Sequence, residues 1–294
     1  MDPLILKKGM PITDSIDDYP QGIIIPIDKP WRWTSADVIR KLKWAACKHF
    51  HNKKLKVGHA GTLDPLATGV LLVCIGRATK LADELQAHEK EYEAGIVFGA
   101  TTPSYDREKE IDKYYPLGGV SREAFEAVLP GFIGEQEQVA PLFSAKSVDG
   151  VRAYEMARKA YKAALNGDAA FDHGASELLS KQKINIPELE LLEFGDTGVC
   201  RIPLSATAVP EGEIESRVNP KINVIDISAL NLPCALVRVR CTKGTYIRAL
   251  ARDFGEELGS GAFLASLRRT RSGGFTVSEA LSVSDALISL GFDN

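Results

Sequence analysis

Lys56-Val57-Gly58-His59-Ala60-Gly61-Thr62-Leu63-Asp64-Pro65-Leu66-Ala67-Thr68-Gly69 is the stretch that decides how the rest of the chain is read. Glycine permits positive φ and close backbone approach. Pro65 fixes its own φ and steers Asp64 away from the helical region. The apolar run Val70-Leu71-Leu72-Val73-Cys74-Ile75 follows directly. The segment therefore reads as a shaped loop that holds one acid and delivers it to a buried strand. On composition alone Asp64 is equally a turn former, a common use of Asp.

Composition limits what surrounds that loop. The 294 residues are 45% apolar and 26% charged, an ordinary globular balance. The net charge of −3 does not announce a nucleic-acid binder, so any RNA contact must rest on local positive clusters. Such a cluster exists. Arg40, Lys41, Lys43, Lys48, Lys53, Lys54 and Lys56 lead into the loop with no acid among them. A charge run is often only a solvated face, but here Trp44 and Phe50 are interleaved with it. The five cysteines are scattered and form no CxxC pair, which argues against a disulfide framework and a zinc site. Reduced thiols in a cytoplasmic protein are the simple expectation. Residues 1–20 lack the apolar core of a signal peptide and read as a loosely held leader.

Elements follow in order. Gly22 to Asp28 reads as a strand. Thr34 and Asp37 form a capping-box-like start to a helix with Val38 and Leu42 inward. Tyr92, Ala94, Ile96 and Phe98 alternate onto one strand face. Ser121 caps a short helix to Leu129, residues 151–158 read as another, and 183–194 reads as one strand. Residues 195–223, rich in Pro, Gly and acids, read as a surface excursion. Val237, Val239 and Cys241 alternate with Arg238, Arg240 and Thr242, and a helix follows with Ile247, Leu250, Ala251, Phe254 and Leu258 as its buried stripe. Arg248 and Arg252 flank that stripe and by themselves read as exposed snorkelling residues. Tyr92 by itself reads as a core tyrosine with its hydroxyl at the rim. Glu279 to Leu290 reads as a short helical tail.

Several blocks together resemble one family. Gly58-His59-x-Gly-Thr-Leu-Asp64-Pro-x-Ala-Thr-Gly69 and Gly76-Arg-Ala-Thr-Lys80 look like the signature of the TruB family, the tRNA pseudouridine-55 synthases. Lys29-Pro30-Trp31-Arg32-Trp33-Thr34-Ser35 extends the likeness, with Arg32 where the family has Gly. Lys90-Glu91-Tyr92, Lys243-Gly-Thr-Tyr246-Ile-Arg248 and Leu267-Arg-Arg-Thr-Arg-Ser-Gly-Gly-Phe275 continue it. Thr102-Pro103-Ser104-Tyr105-Asp106 keeps only the outer Thr and Asp of the family's block. In Gln138 to Gly150, Phe143 replaces the usual Tyr and Ser147 stands at the usual lysine position, with Lys146 one place early.

The resemblance implies an α+β fold: a mixed, mainly antiparallel sheet with flanking helices and an inserted thumb at about 121–183. It implies one catalytic domain over 21–294, and too few residues after Phe275, about twenty, for a separately cored PUA-type RNA-binding domain. The activity implied is isomerisation of uridine 55 in the T-loop of tRNA, on a flipped-out base. Asp64 is the implied catalytic acid, with Tyr92 beside it and Arg248 paired to it. His59, Tyr246, Leu267, Lys29, Thr62, Lys80 and Lys243 are implied substrate or RNA contacts. No metal or cofactor, no membrane and no obligatory protein partner is implied, and the T-arm of tRNA is the implied ligand of a monomer. Asp64 can attack the base, attack the ribose or initiate a glycal route, and the residues do not choose among these. A guide-RNA-dependent synthase and an RNA-folding chaperone that needs no catalysis are the rival readings.

Replacing Lys53, Lys54 and Lys56 together by Ser is expected to flatten the salt dependence of RNA binding, because each lost phosphate contact lowers the log K–log salt slope by roughly 0.7–0.9. Filter binding across a salt series measures this. An unchanged slope removes the segment from the interface.

Overall fold

The computed structural model describes residues 2–144, 147–148, 151–166, 171–172, 179–195, 219–220 and 222–292. The first elements are β1 (Leu4–Ile5), β2 (Ile23–Lys29), α1 (Ser35–His49), β3 (Val57–Ala60), β4 (Ala67–Ile75), α2 (Ala82–Ala87) and β5 (Lys90–Phe98). Then come β6 (Ala100–Thr101), β7 (Lys113–Tyr114), α3 (Arg122–Val128), β8 (Gly134–Gln138), β9 (Ser147–Val148), β10 (Val151–Arg152) and α4 (Ala153–Leu165). The last are β11 (Gln182–Ile186), β12 (Glu188–Gly195), β13 (Cys234–Cys241), α5 (Ile247–Glu257), β14 (Ala262–Ser272), β15 (Phe275–Thr276) and α6 (Val283–Ser289). Two compact units result. One contains Met1–Tyr92, Pro203–Ile222 and Leu267–Asn294, the other Glu93–Ile202 and Asn223–Ser266.

The first unit is built on β4, whose nine residues are all buried. Val70 to Ile75 are each fully covered, and burying such side chains stabilises by about 1.5–3 kcal/mol apiece. β4 pairs antiparallel with β2 and with β3, and parallel with the 267–269 stretch of β14. α1 begins as the sequence predicts. The Thr34 Oγ1 accepts from the Asp37 amide at 3.0 Å, and Asp37 accepts from the Thr34 amide at 2.9 Å. Val38, Leu42, Ala45 and Ala46 are its buried face. Arg32 adopts φ +57°, the left-handed conformation that the family's glycine at this position favours. Its guanidinium donates to the Ile222 carbonyl at 2.9 Å.

In the second unit β12 pairs antiparallel with β13, β8 with β11, and β6 with β7. Phe98, Phe125 and Phe254 meet edge to face, with 5.2 Å between the Phe125 centroid and each of the other two. β13 alternates as expected, with Val237, Val239 and Cys241 buried. Each unit thus has mixed or antiparallel strands with helices packed on them, the α+β architecture implied by the resemblance.

Four expectations are corrected. The leader is not loose: Leu4 and Ile5 pair in parallel with Ile23 and Ile24, and Leu6 is buried. Three apolar residues are too few for a periodicity to register. The 183–194 strand is two strands with different partners, broken at Pro187, which has no amide to donate. Arg248 and Arg252 do not snorkel but are buried. Cys234 is disulfide-bonded, and its partner lies outside the described residues. Most of the 195–223 excursion, and Lys146, also lie outside them.

Gly69 adopts φ +99°, and a Cβ there would lie 2.1 Å from the Arg269 carbonyl oxygen. Gly69→Ala is expected to destabilise the protein by roughly 2–5 kcal/mol, combining backbone strain with overpacking. Urea unfolding measures it, and a loss below about 1 kcal/mol would mean that β14 does not cross β4 this closely.

Candidate active site

Asp64 sits on the loop between β3 and β4 in the first unit. A loop seated on a buried strand carries backbone polar groups that need partners. Its carbonyls find them in order. Arg269 donates from Nη2 to the Gly61 carbonyl at 3.0 Å and from Nη1 to the Thr62 carbonyl at 3.5 Å. Ser35 Oγ accepts from the Leu63 amide at 3.0 Å and donates to the Leu63 carbonyl at 3.2 Å. The Ala67 amide donates to the Asp64 carbonyl at 3.1 Å. Lys29 Nζ donates to the Pro65 carbonyl at 3.3 Å. Asp64 is half-buried, while Thr62 is exposed.

Two cations beneath this loop are withdrawn from solvent. Lys29 is wholly buried and also donates to the Pro30 and Trp33 carbonyls, at 2.9 and 2.6 Å. Burial pulls its pKa down to about 7. The Asp64 charge pulls the other way, and the Arg269 guanidinium pulls further down. Three carbonyl acceptors match the three donors of an ammonium, which also opposes the pull of burial. The Lys29 side chain, implied as a substrate or RNA contact, is therefore turned inward onto the loop. His59, in β3, has its pKa lowered by burial and then by Arg269, which favours the neutral imidazole. Its Nδ1 has no hydrogen-bond partner among the described residues. Tyr92 is buried in β5, Leu267 is buried opposite Ala67 in β14, and Lys80 is exposed after β4. The basic run Arg40, Lys41, Lys43, Lys48, Lys53, Lys54 and Lys56 is exposed along its whole length.

The second unit holds the other implied residues at the start of α5. The buried Gln138 grips Tyr246: its Oε1 accepts from the Tyr246 amide at 2.8 Å and its Nε2 donates to the Tyr246 carbonyl at 3.2 Å. Arg248 donates to the Ser104 carbonyl at 3.1 Å and the Phe143 carbonyl at 3.0 Å. Its Nε lies 3.7 Å from Asp106 Oδ2. Asp106 is oriented in turn by Ser104 Oγ at 2.6 Å and the Glu108 amide at 2.9 Å, both donating to Oδ1. Lys243 is exposed.

The first unit thus contains Asp64, His59, Thr62, Lys29, Lys80, Tyr92 and Leu267, and the second Tyr246, Arg248 and Lys243. Sequence reasoning missed Ser35, Arg269, Gln138 and Asp106 as supports. Each lies inside a block that the resemblance covers, so block membership was the available signal. No group of His, Cys, Asp and Glu among the described residues could hold a metal ion. No helix among them is long and apolar enough to cross a membrane.

Comparison with known proteins leads to one family. Residues 48–207 match the family described as TruB family pseudouridylate synthase (N terminal domain). The chain belongs to the TruB family. It is 43% identical over 266 residues to the tRNA pseudouridine synthase B of Phocaeicola vulgatus, covering 90% of this chain and 92% of that one. To the protein of the same name from Thermus thermophilus it is 39% identical over 259 residues, covering 88% and 75%. Among solved structures, the archaeal box H/ACA sRNP Nop10-Cbf5 complex matches with a TM-score of 0.53 and 24% identity, over 97% of this chain and 59% of that one. An H/ACA RNP bound to a substrate RNA containing 2'-deoxyuridine matches with a TM-score of 0.53 and 21% identity, over 98% and 61%. These two likenesses concern the fold, and the chain spans only about three fifths of each.

Asp106→Ala leaves the buried Arg248 without this carboxylate. Removing one partner of a buried pair costs about 3–5 kcal/mol, and a loss of that size is expected in urea unfolding. A change under 1 kcal/mol would mean that Arg248 is held in place without this carboxylate.

Proposed function

We infer that this chain is a tRNA pseudouridine synthase that isomerises uridine 55 in the T-loop. The observation that carries the reading is the Asp64 loop, in which the carbonyls from Gly61 to Pro65 are tied down while Asp64 itself is only half-buried. A site that must act on a base needs one acid held in a fixed place, because positioning supplies much of the rate. The uracil leaves its sugar, rotates and rejoins through carbon, and it must first be flipped out of the RNA fold. Asp64 acts on the base or the ribose, or initiates the glycal route. The resemblance assigns His59 to the space vacated in the RNA, Tyr246 and Leu267 to the pocket lining, Tyr92 to stacking on the base, and Arg248 to the Asp64 carboxylate. Thr62, Lys80 and Lys243, exposed at their surfaces, are the proposed RNA contacts. The chain acts as a monomer without a protein partner in this reading, with one catalytic domain that includes the 121–183 insertion.

Asp64→Asn keeps the loop's shape and removes the charge. Pseudouridine formation in a tRNA transcript is expected to vanish with tRNA affinity retained, as read by chemical mapping and filter binding. Turnover by the variant within a few-fold of wild type would rule Asp64 out. A wild-type protein that binds and refolds tRNA but forms no pseudouridine would favour the chaperone reading.

A further inference from the structure

We propose that Arg269 is the residue that positions the Asp64 loop, a role distinct from RNA contact; this rests on the reading of Asp64 as the catalytic acid. Arg269 is among the largest fully buried side chains, with only 1% of its surface exposed. It cannot touch RNA phosphates from there. Its hydrogen-bond partners among the described residues are backbone carbonyls, with no carboxylate among them: Val70 from Nε at 2.6 Å, Thr62 from Nη1 at 3.5 Å and Gly61 from Nη2 at 3.0 Å. Burying a cation with no anion beside it is costly. The cost is offset only if the acceptors are fixed and numerous, and here three carbonyls converge on one planar group.

The arrangement works as a bracket. At one end, the backbone of Arg269 lies opposite Gly69 in the parallel β4–β14 ladder, so close that only glycine fits. From that anchor, Nε reaches Val70 in β4 while the Nη atoms reach the first two residues of the loop. The loop's position is thereby referenced to the most buried strand of the unit. Asp64 follows Thr62 by two residues, so a shift of the Gly61 and Thr62 carbonyls is passed to the carboxylate. Only Arg has donors that diverge in one plane on three sides; a lysine offers one nitrogen, which cannot span from Val70 to Gly61. Lys29 and Ser35 hold the later residues of the loop, and Arg269 holds the carbonyls of the first two.

The test compares Arg269→Lys with wild type in single-turnover assays on a tRNA transcript, alongside tRNA affinity by filter binding. The expected result is a folded variant that binds within about 3-fold of wild type and reacts about 100-fold more slowly, the penalty typical of a misplacement of about 1 Å. Arg269→Ala should regain rate when guanidinium chloride is added below denaturing concentrations, and not when sodium chloride is added. Turnover of Arg269→Lys within about 3-fold of wild type overturns the proposal. So does a fall in rate matched by an equal fall in affinity, or an absence of guanidinium rescue. Failure of both variants to fold also overturns it, because the side chain would then support the core at large. A wild-type protein that forms no pseudouridine, or an Asp64→Asn variant that does, would instead overturn the functional reading.

Discussion

Buried backbone needs partners, and the Asp64 loop is arranged around that requirement. An unpaired buried carbonyl or amide costs about 1–3 kcal/mol, and regular pairing is impossible where the chain must bend to present an acid. The protein meets the need with side chains drawn from distant parts of the sequence: Lys29 from the end of β2, Ser35 from the first turn of α1, and Arg269 from β14. Two of these are cations, whose donors carry stronger hydrogen bonds than neutral groups. Burial and then the Arg269 charge lower the His59 pKa, and Arg269 also pulls the Lys29 pKa further down after burial.

The elements around the loop take their places from the same requirement. α1 can deliver Ser35 because the Thr34–Asp37 capping box fixes where the helix starts. The turn before it accepts a left-handed Arg32, which a residue with a Cβ adopts at some cost in strain, and the Arg32 bond to Ile222 works against that cost. Arg268 pairs with Asp28 at 2.8 Å, and Asp28 accepts from the Gly69 amide at 3.1 Å, which ties β2, β4 and β14 together at the level of the loop. In the second unit, Gln138 and Asp106 do for Tyr246 and Arg248 what these groups do for Asp64.

Much of this was legible in the sequence, for a physical reason. Local signals survive in a linear reading: the capping box at Thr34 and Asp37, the alternation in β13, and the glycine-rich loop with one acid before a buried run. What failed was long-range. Nothing local says that Lys29 turns inward, since a lysine beside a loop reads equally as an RNA contact. The stripe pattern of α5 put Arg248 and Arg252 at its flanks, yet both are buried and donate to the distant Ser104, Phe143 and Val139 carbonyls. The single strand expected over 183–194 splits at Pro187: before it the chain pairs with β8, after it with β13. Leu4 to Leu6 carry too little pattern to reveal an edge strand.

The parallel pairing of β14 with β4 has a consequence in time. Residues 67–69 leave the ribosome long before 267–269, and chains are made at about 5–20 residues per second. For that interval β4 lacks its parallel neighbour and the Gly61 and Thr62 carbonyls lack their guanidinium. A nascent chain therefore holds Asp64 early but in an unfinished setting. Pairings this distant in sequence also close late and slowly once the chain is free. A chain released before residue 269 is made carries the Gly61–Pro65 loop without the Arg269 bonds to its first two carbonyls.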